Sequence, residues 1–262
     1  MSAVGSRTIP QAELQGALFD VDGTLIDSMP QFWPSWPEWA ALYGMQVTED
    51  EFYAYSGWPM PDILRDIYEK NSGEKVDSDF VAKLLADYKA IHNRRMDEVG
   101  PPPRIDAVVA VARAHVAAGV PVMAATSGLR ETVLRHLEEA GLADIFPPER
   151  VVTAADVAPG RGKPHPDIFV KAAEVAGLDP RRCIAYEDAE AGFEAAWRAG
   201  CQVVDVRDYP GYPCPPALRR AMETMRARRT WLSDEGAKSD EGEVDGAGVA
   251  QDGGGIAVAA KA

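Results

Sequence analysis

A chain of 262 residues with 46% hydrophobic and 26% charged residues has ordinary globular composition, long enough for one sizeable core and a smaller companion domain. Its formal net charge of −14 argues against nucleic acid as a partner, because a phosphate backbone is met by a basic face. No apolar run approaches the roughly 20 residues needed to cross a bilayer, and Met1 to Gln15 lacks the apolar centre of a secretory signal, so no membrane partner and a cytoplasmic location are expected.

In chain order, the first predicted strand is 16–20. Its apolar run Ala17-Leu18-Phe19 ends in Asp20-Val21-Asp22-Gly23-Thr24-Leu25-Ile26-Asp27, which sets two carboxylates at the mouth of a buried strand. A long stretch, 30–98, then reads as helical; Phe32, Trp33, Trp36 and Trp39 recur at helical spacing and are expected to pack its interior, with stacking on a sugar the lesser reading. It exits through Gly100-Pro101-Pro102-Pro103 into a helix over 106–118 that Gly119 terminates. A second strand, 121–126, ends in Thr126-Ser127-Gly128 before a helix over 129–140. The hydroxyls there serve equally well as a helix cap or as donors to an anion. A third strand is expected at 150–153.

Gly162-Lys163-Pro164-His165-Pro166 follows, opening a helix that runs to about Ala176. A fourth strand, 182–187, terminates in Glu187-Asp188 and leads into another helix; a fifth is expected at 202–206. Strands alternating with helices mean a doubly wound α/β fold on a parallel sheet. In such sheets ligands bind beyond the carboxyl ends of the strands, where the carboxylates lie. Last come an amphipathic helix over 217–231 rich in arginine, expected to pack on the core, and a Gly/Ala/Asp-rich stretch. Residues 233–262 hold too few bulky apolar groups to offset chain entropy and are expected to be disordered. Cys183 and Cys201 adjoin predicted strands and read as buried thiols, Cys214 as a more exposed one. His92, His115 and His136 fall in helical patterns and are assigned no chemistry.

The stretches beginning at Asp20, Val120, Gly162 and Cys183 resemble motifs I to IV of the haloacid dehalogenase superfamily, in the subfamily I branch with a C1 cap. The resemblance implies a Rossmann-like core formed by 1–29 and 99–232, a helical cap over 30–98 that closes on the active site, and the tail at 233–262. It implies Asp20 as nucleophile and metal ligand, Asp22 as general acid and base with its main-chain carbonyl on the metal, and Lys163 as the clamp on Asp20 and the phosphoryl group. Thr126, with the amides of Ser127 and Gly128, would bind phosphoryl oxygens; Asp188 and Glu187 would complete a magnesium site.

From Val151 to Asp208 the chain most resembles fructose-1-phosphate and 6-phosphogluconate phosphatases. β-Phosphoglucomutases also share the motifs. They carry a histidine twelve residues after the nucleophile, where Phe32 stands here, and an arginine three residues after a cap glycine, where Met60 stands. The expected activity is therefore magnesium-dependent hydrolysis of small sugar or polyol phosphates by a monomer. A phosphosugar isomerase and a non-catalytic interaction protein are the alternatives.

Overall fold

The structure is a computed structural model that describes residues 3–5 and 7–226; the expected tail at 233–262 and the end of the arginine-rich helix lie outside the described residues. Six strands form one sheet: β1 (Ala3–Val4), β2 (Gly16–Phe19), β3 (Val122–Thr126), β4 (Val151–Thr153), β5 (Cys183–Glu187) and β6 (Gln202–Asp205), in the order β1-β6-β5-β2-β3-β4. All pairings are parallel except that of β1 with β6. The five expected strands are present within a residue or so, whereas β1 was not expected. Two residues that pair with a strand 200 positions away carry no local signal of their own.

β2 lies between β3 and β5, so the chain leaves it in one direction through β3 and β4 and returns on its other side through β5 and β6. That reversal opens a crevice at the carboxyl ends of β2, β3 and β5. Every residue of β2 and β3 is buried. Because side chains alternate across a strand, Ala17 and Phe19 pack with Val108, Val109 and Ala112 of α6 (Asp106–Ala117) and Val133 and Leu137 of α7 (Arg130–Glu139). The opposite face is covered by α8 (Asp167–Val175) and α9 (Glu190–Arg198), which supply buried Ile168, Phe169 and Phe193.

Between β2 and α6 the chain forms five helices: α1 (Met29–Phe32), α2 (Ser35–Leu42), α3 (Glu49–Ala54), α4 (Met60–Ser72) and α5 (Ser78–Val99). They enclose a second apolar cluster around Trp36, Trp39, Phe52, Leu64, Leu84 and Tyr88. Local chemistry fixes their ends: Thr48 and Glu51 make a reciprocal capping box on α3, Asp77 caps α5, and Gly73 closes α4 in the left-handed conformation. The final described helix, α10 (Pro216–Arg226), differs from expectation. Ala217, Leu218 and Ala221 bury themselves in this second cluster, against α3, so its apolar face covers the inserted helices.

Candidate active site

The turn after β2 is tight because Gly23 adopts a φ of +87°, and it is held by Gly23 N donating to Ile26 O. Glycine is needed there twice over, since a Cβ would stand 2.3 Å from Asp188 Oδ2. The turn leaves Asp20 at the strand end with 4% exposure and brings Thr24 Oγ1 to donate to Asp188 Oδ1 at 2.9 Å. Tyr212, from the loop before α10, donates its hydroxyl to Gly23 O at 2.6 Å. Two separate loops thus brace the same turn.

Lys163 reaches the acids from the loop before α8. Its Nζ lies 2.7 Å from Asp20 Oδ1 and 2.5 Å from Glu187 Oε1, with the lysine side chain entirely buried. Burial alone would strip its proton; Asp20 and Glu187 outweigh it and hold the ammonium charged well above the ordinary lysine range. The Glu187 Oε2 atom accepts the backbone amides of Asp188 and Ala189, each at 2.7 Å. Both oxygens of Glu187 are therefore engaged in fixing Lys163 and the turn after β5. Gly192 makes room for this carboxylate, because a Cβ there would lie 1.7 Å from Glu187 Oε1.

Burial pushes Asp20 up to about 7; Lys163 pulls it down, and neighbouring Glu187 and Asp22 add to the rise. Asp188 is raised as well, by burial first and then by Glu187 and Asp20. Such crowding of acids is what a bound cation relieves. Asp20, Glu187 and Asp188 each offer a carboxylate oxygen, all within 4.8 Å of one another. This donor set is hard oxygen alone, and it fits magnesium or calcium better than a transition metal.

Asp22 points elsewhere. Its Oδ1 accepts from Ser28 Oγ at 2.7 Å and lies 3.8 Å from His136 Nδ1, a neighbour that a helical pattern gave no reason to single out. Thr126, at the end of β3, is 1% exposed and accepts the Gly128 amide through Oγ1 at 3.1 Å. Gly128 stands beside Asp22, since a Cβ there would meet Asp22 Oδ2 at 2.8 Å. Ser127 uses its hydroxyl differently from expectation: it donates to Gly57 O at 2.7 Å, tying the β3 loop to the inserted helices. Asp20, Asp22, Thr126, Ser127 and Gly128 line one cavity of about 110 Å³, whose far wall is built from α1 to α5 and the loop between α3 and α4. Lys163, Glu187 and Asp188 join it through their bonds and proximity to Asp20.

Fold and site define the class: a doubly wound α/β enzyme with its acids and lysine gathered at the carboxyl edge of the sheet. Residues 14–200 match the model of the haloacid dehalogenase-like hydrolases. The chain is 34% identical to the fructose-1-phosphate phosphatase of Escherichia coli (strain K12), over 73% of this chain and 96% of that one. It is 30% identical to hexitol phosphatase A of the same organism, over 73% and 82%. Among solved structures, a β-phosphoglucomutase from Clostridium difficile superposes with a TM-score of 0.63 at 20% identity, covering 73% of this chain and 84% of that one, a likeness of fold alone. The chain belongs to the haloacid dehalogenase-like hydrolase family, and it is a phosphoric monoester hydrolase.

Proposed function

We propose that this hydrolase is a magnesium-dependent phosphatase acting on small sugar or polyol phosphates through an aspartyl-phosphate intermediate. The observation that carries the reading is the fully buried Lys163, bonded at once to Asp20 and Glu187 beside the cavity that Asp20 and Asp22 line. The names of relatives that act on fructose 1-phosphate and hexitol phosphates support the substrate class. Residues 30–98 serve as a cap over the core that carries the sheet.

In this reading Asp20 attacks phosphorus in line, forming a bond from its carboxylate oxygen as the ester oxygen departs with a proton from Asp22. Asp22 then takes a proton from water, whose oxygen attacks the same phosphorus and frees Asp20 and inorganic phosphate. Lys163 and the Thr126 hydroxyl, with the Ser127 and Gly128 amides, hold the phosphoryl oxygens on which charge builds. Asp20, the Asp22 main-chain carbonyl and Asp188 would hold magnesium, with Glu187 supporting them through Lys163 and the backbone of the turn. When bound, that cation neutralises phosphoryl charge and offsets the repulsion among the acids.

Hydrolysis is favoured over phosphosugar isomerisation by two side chains. Phe32 and Met60 both line the cavity and offer no charge to the distal phosphate of a bisphosphate intermediate. The test is phosphate release from a panel of sugar and polyol phosphates, with magnesium and with a chelator in its place. Asp20→Asn is expected to abolish release, as is the chelator; turnover by either metal-stripped enzyme or the variant overturns the reading.

A further inference from the structure

The alcohol half of the substrate must occupy the part of the cavity that the inserted helices enclose. Among the described residues lining the cavity, none is lysine or arginine, and its charged side chains are the carboxylates Asp20 and Asp22. A carboxylate or second phosphate on the alcohol would be stripped of water against those acids, and the cations of the site, Lys163 and the proposed magnesium, are committed to the transferring phosphoryl group. Much of the remaining wall is aromatic: Phe32, Trp36, Phe52 and Tyr88. Trp58, 39% exposed, adds a further aromatic face suited to the C–H side of a polyol.

Polar groups break this wall. Trp36 Nε1, Ser56 Oγ and His92 Nδ1 belong to residues that line the cavity, and all three atoms are buried with no hydrogen-bond partner in the protein. A buried polar atom left unmade costs about 1–3 kcal/mol, so three on one cavity wall point to a ligand that completes them, and of the three Ser56 Oγ and His92 Nδ1 can accept as well as donate. The imidazole is 5% exposed and is set by its neighbours: Tyr88, one turn earlier on α5, stacks on it at 5.5 Å and 12°, and Phe32 meets it edge-on at 5.0 Å. Burial keeps it neutral near physiological pH, able to accept or donate through one nitrogen.

We propose that Ser56 and His92 are specificity-determining residues that bind a hydroxyl of a short, uncharged phosphorylated alcohol, and that the cavity rejects alcohols bearing a second anionic group. The proposal rests on the phosphatase reading above. The aromatic walls take the carbon skeleton and Ser56 and His92 read its oxygen, so discrimination comes from the inserted helices while the core handles phosphorus.

The test compares kcat/KM for glycerol 1-phosphate, for 3-phosphoglycerate, which carries a carboxylate where glycerol 1-phosphate has a hydroxymethyl, and for p-nitrophenyl phosphate, which has no hydroxyl. Wild-type enzyme is expected to favour glycerol 1-phosphate over 3-phosphoglycerate by about 100-fold or more. Ser56→Ala and His92→Leu should each lower the ratio of glycerol 1-phosphate to p-nitrophenyl phosphate efficiency about tenfold, mainly through KM, and His92→Asn should restore it. Equal use of 3-phosphoglycerate, or an unchanged ratio in both variants, overturns the proposal. No phosphate release from any of the three by wild-type enzyme overturns the phosphatase reading, and this proposal with it. Ser56→Ala removes a single oxygen, so it decides the matter even if the histidine variants fold poorly.

Discussion

Removing an ammonium from water costs several kcal/mol, which partner anions must offset. Lys163 meets two of them with its side chain fully buried, so truncating it leaves both Asp20 and Glu187 uncompensated. Lys163→Met should lose about 3–5 kcal/mol in a urea titration of the metal-free protein, and the loss should shrink when magnesium is added. His92 carries the opposite kind of burial. Desolvation depresses its pKa to about 4, against the pull of Asp22, from an ordinary value near 6.5. A depressed pKa means the folded state binds fewer protons than the unfolded chain between those values, so stability is held above pH 6.5 and is lost as pH falls towards 4. The expected loss over that window is on the order of 3 kcal/mol. His92→Asn should flatten the fall of melting temperature between pH 7 and pH 5, while leaving other acid-sensitive groups to act. Asp20, Thr126 and Glu187 were legible because an apolar strand run stops at a carboxylate or hydroxyl, as at Phe19-Asp20 and Ala125-Thr126, and Lys163 because it precedes the proline pair that opens a helix. His92 and His136 were not, since what sets them beside the site is the packing of α1, α5 and α7 around Phe32, nor was Ser56, which the loop between α3 and α4 brings to the cavity.

At the scale of elements, periodicity located the helices but set the apolar face of α10 on the core, whereas it packs against α3. An arginine-rich amphipathic helix has an apolar stripe that any exposed surface of matching shape can cover. Here Ala217, Leu218 and Ala221 meet α3, while Arg226 returns to the core and bonds Asp205 and Asp208 at 2.8 Å. Asp205 is buried; burial would raise its pKa, but Arg207 and Arg226 prevail and hold it below the usual carboxylate range. α10 therefore bridges the inserted helices and the end of β6, and Tyr212 just before it holds the Gly23 turn. The exposed Arg220–Asp50 pair adds little to this, because solvent screens it. Leu218, 6% exposed, is the apolar anchor. Leu218→Ala should cost about 2 kcal/mol or more in denaturant unfolding, and amide exchange in α3 should quicken more than in β2. Uniform quickening across both elements would mean that α10 stabilises the protein without favouring α3.

Across the molecule, one short loop of the inserted segment meets the loops of the core at three places. Gly57 O accepts from Ser127 after β3; a Cβ on Gly162, beside Lys163, would meet Pro59 Cγ at 2.5 Å; and a Cβ on Gly57 would meet Ala189 Cβ, after β5, at 2.8 Å. Loops that carry the motif residues are the same loops that receive the inserted segment. In the proposed reading of residues 30–98 as a cap, its closure is coupled to the catalytic geometry, so that it would both exclude water and complete the site. Gly57→Ala tests that coupling. Its φ of +83° is costly for any side chain, by about 1 kcal/mol, and the added methyl must push the loop off Ala189. Because the loop lies between two separately packed clusters, global stability should fall by no more than about 2 kcal/mol. Catalytic efficiency should fall at least about tenfold, with faster amide exchange confined to the loop around residue 57 and the residues after β3. A variant that keeps wild-type efficiency while losing that protection would show that the loop's seat on the core is dispensable for turnover.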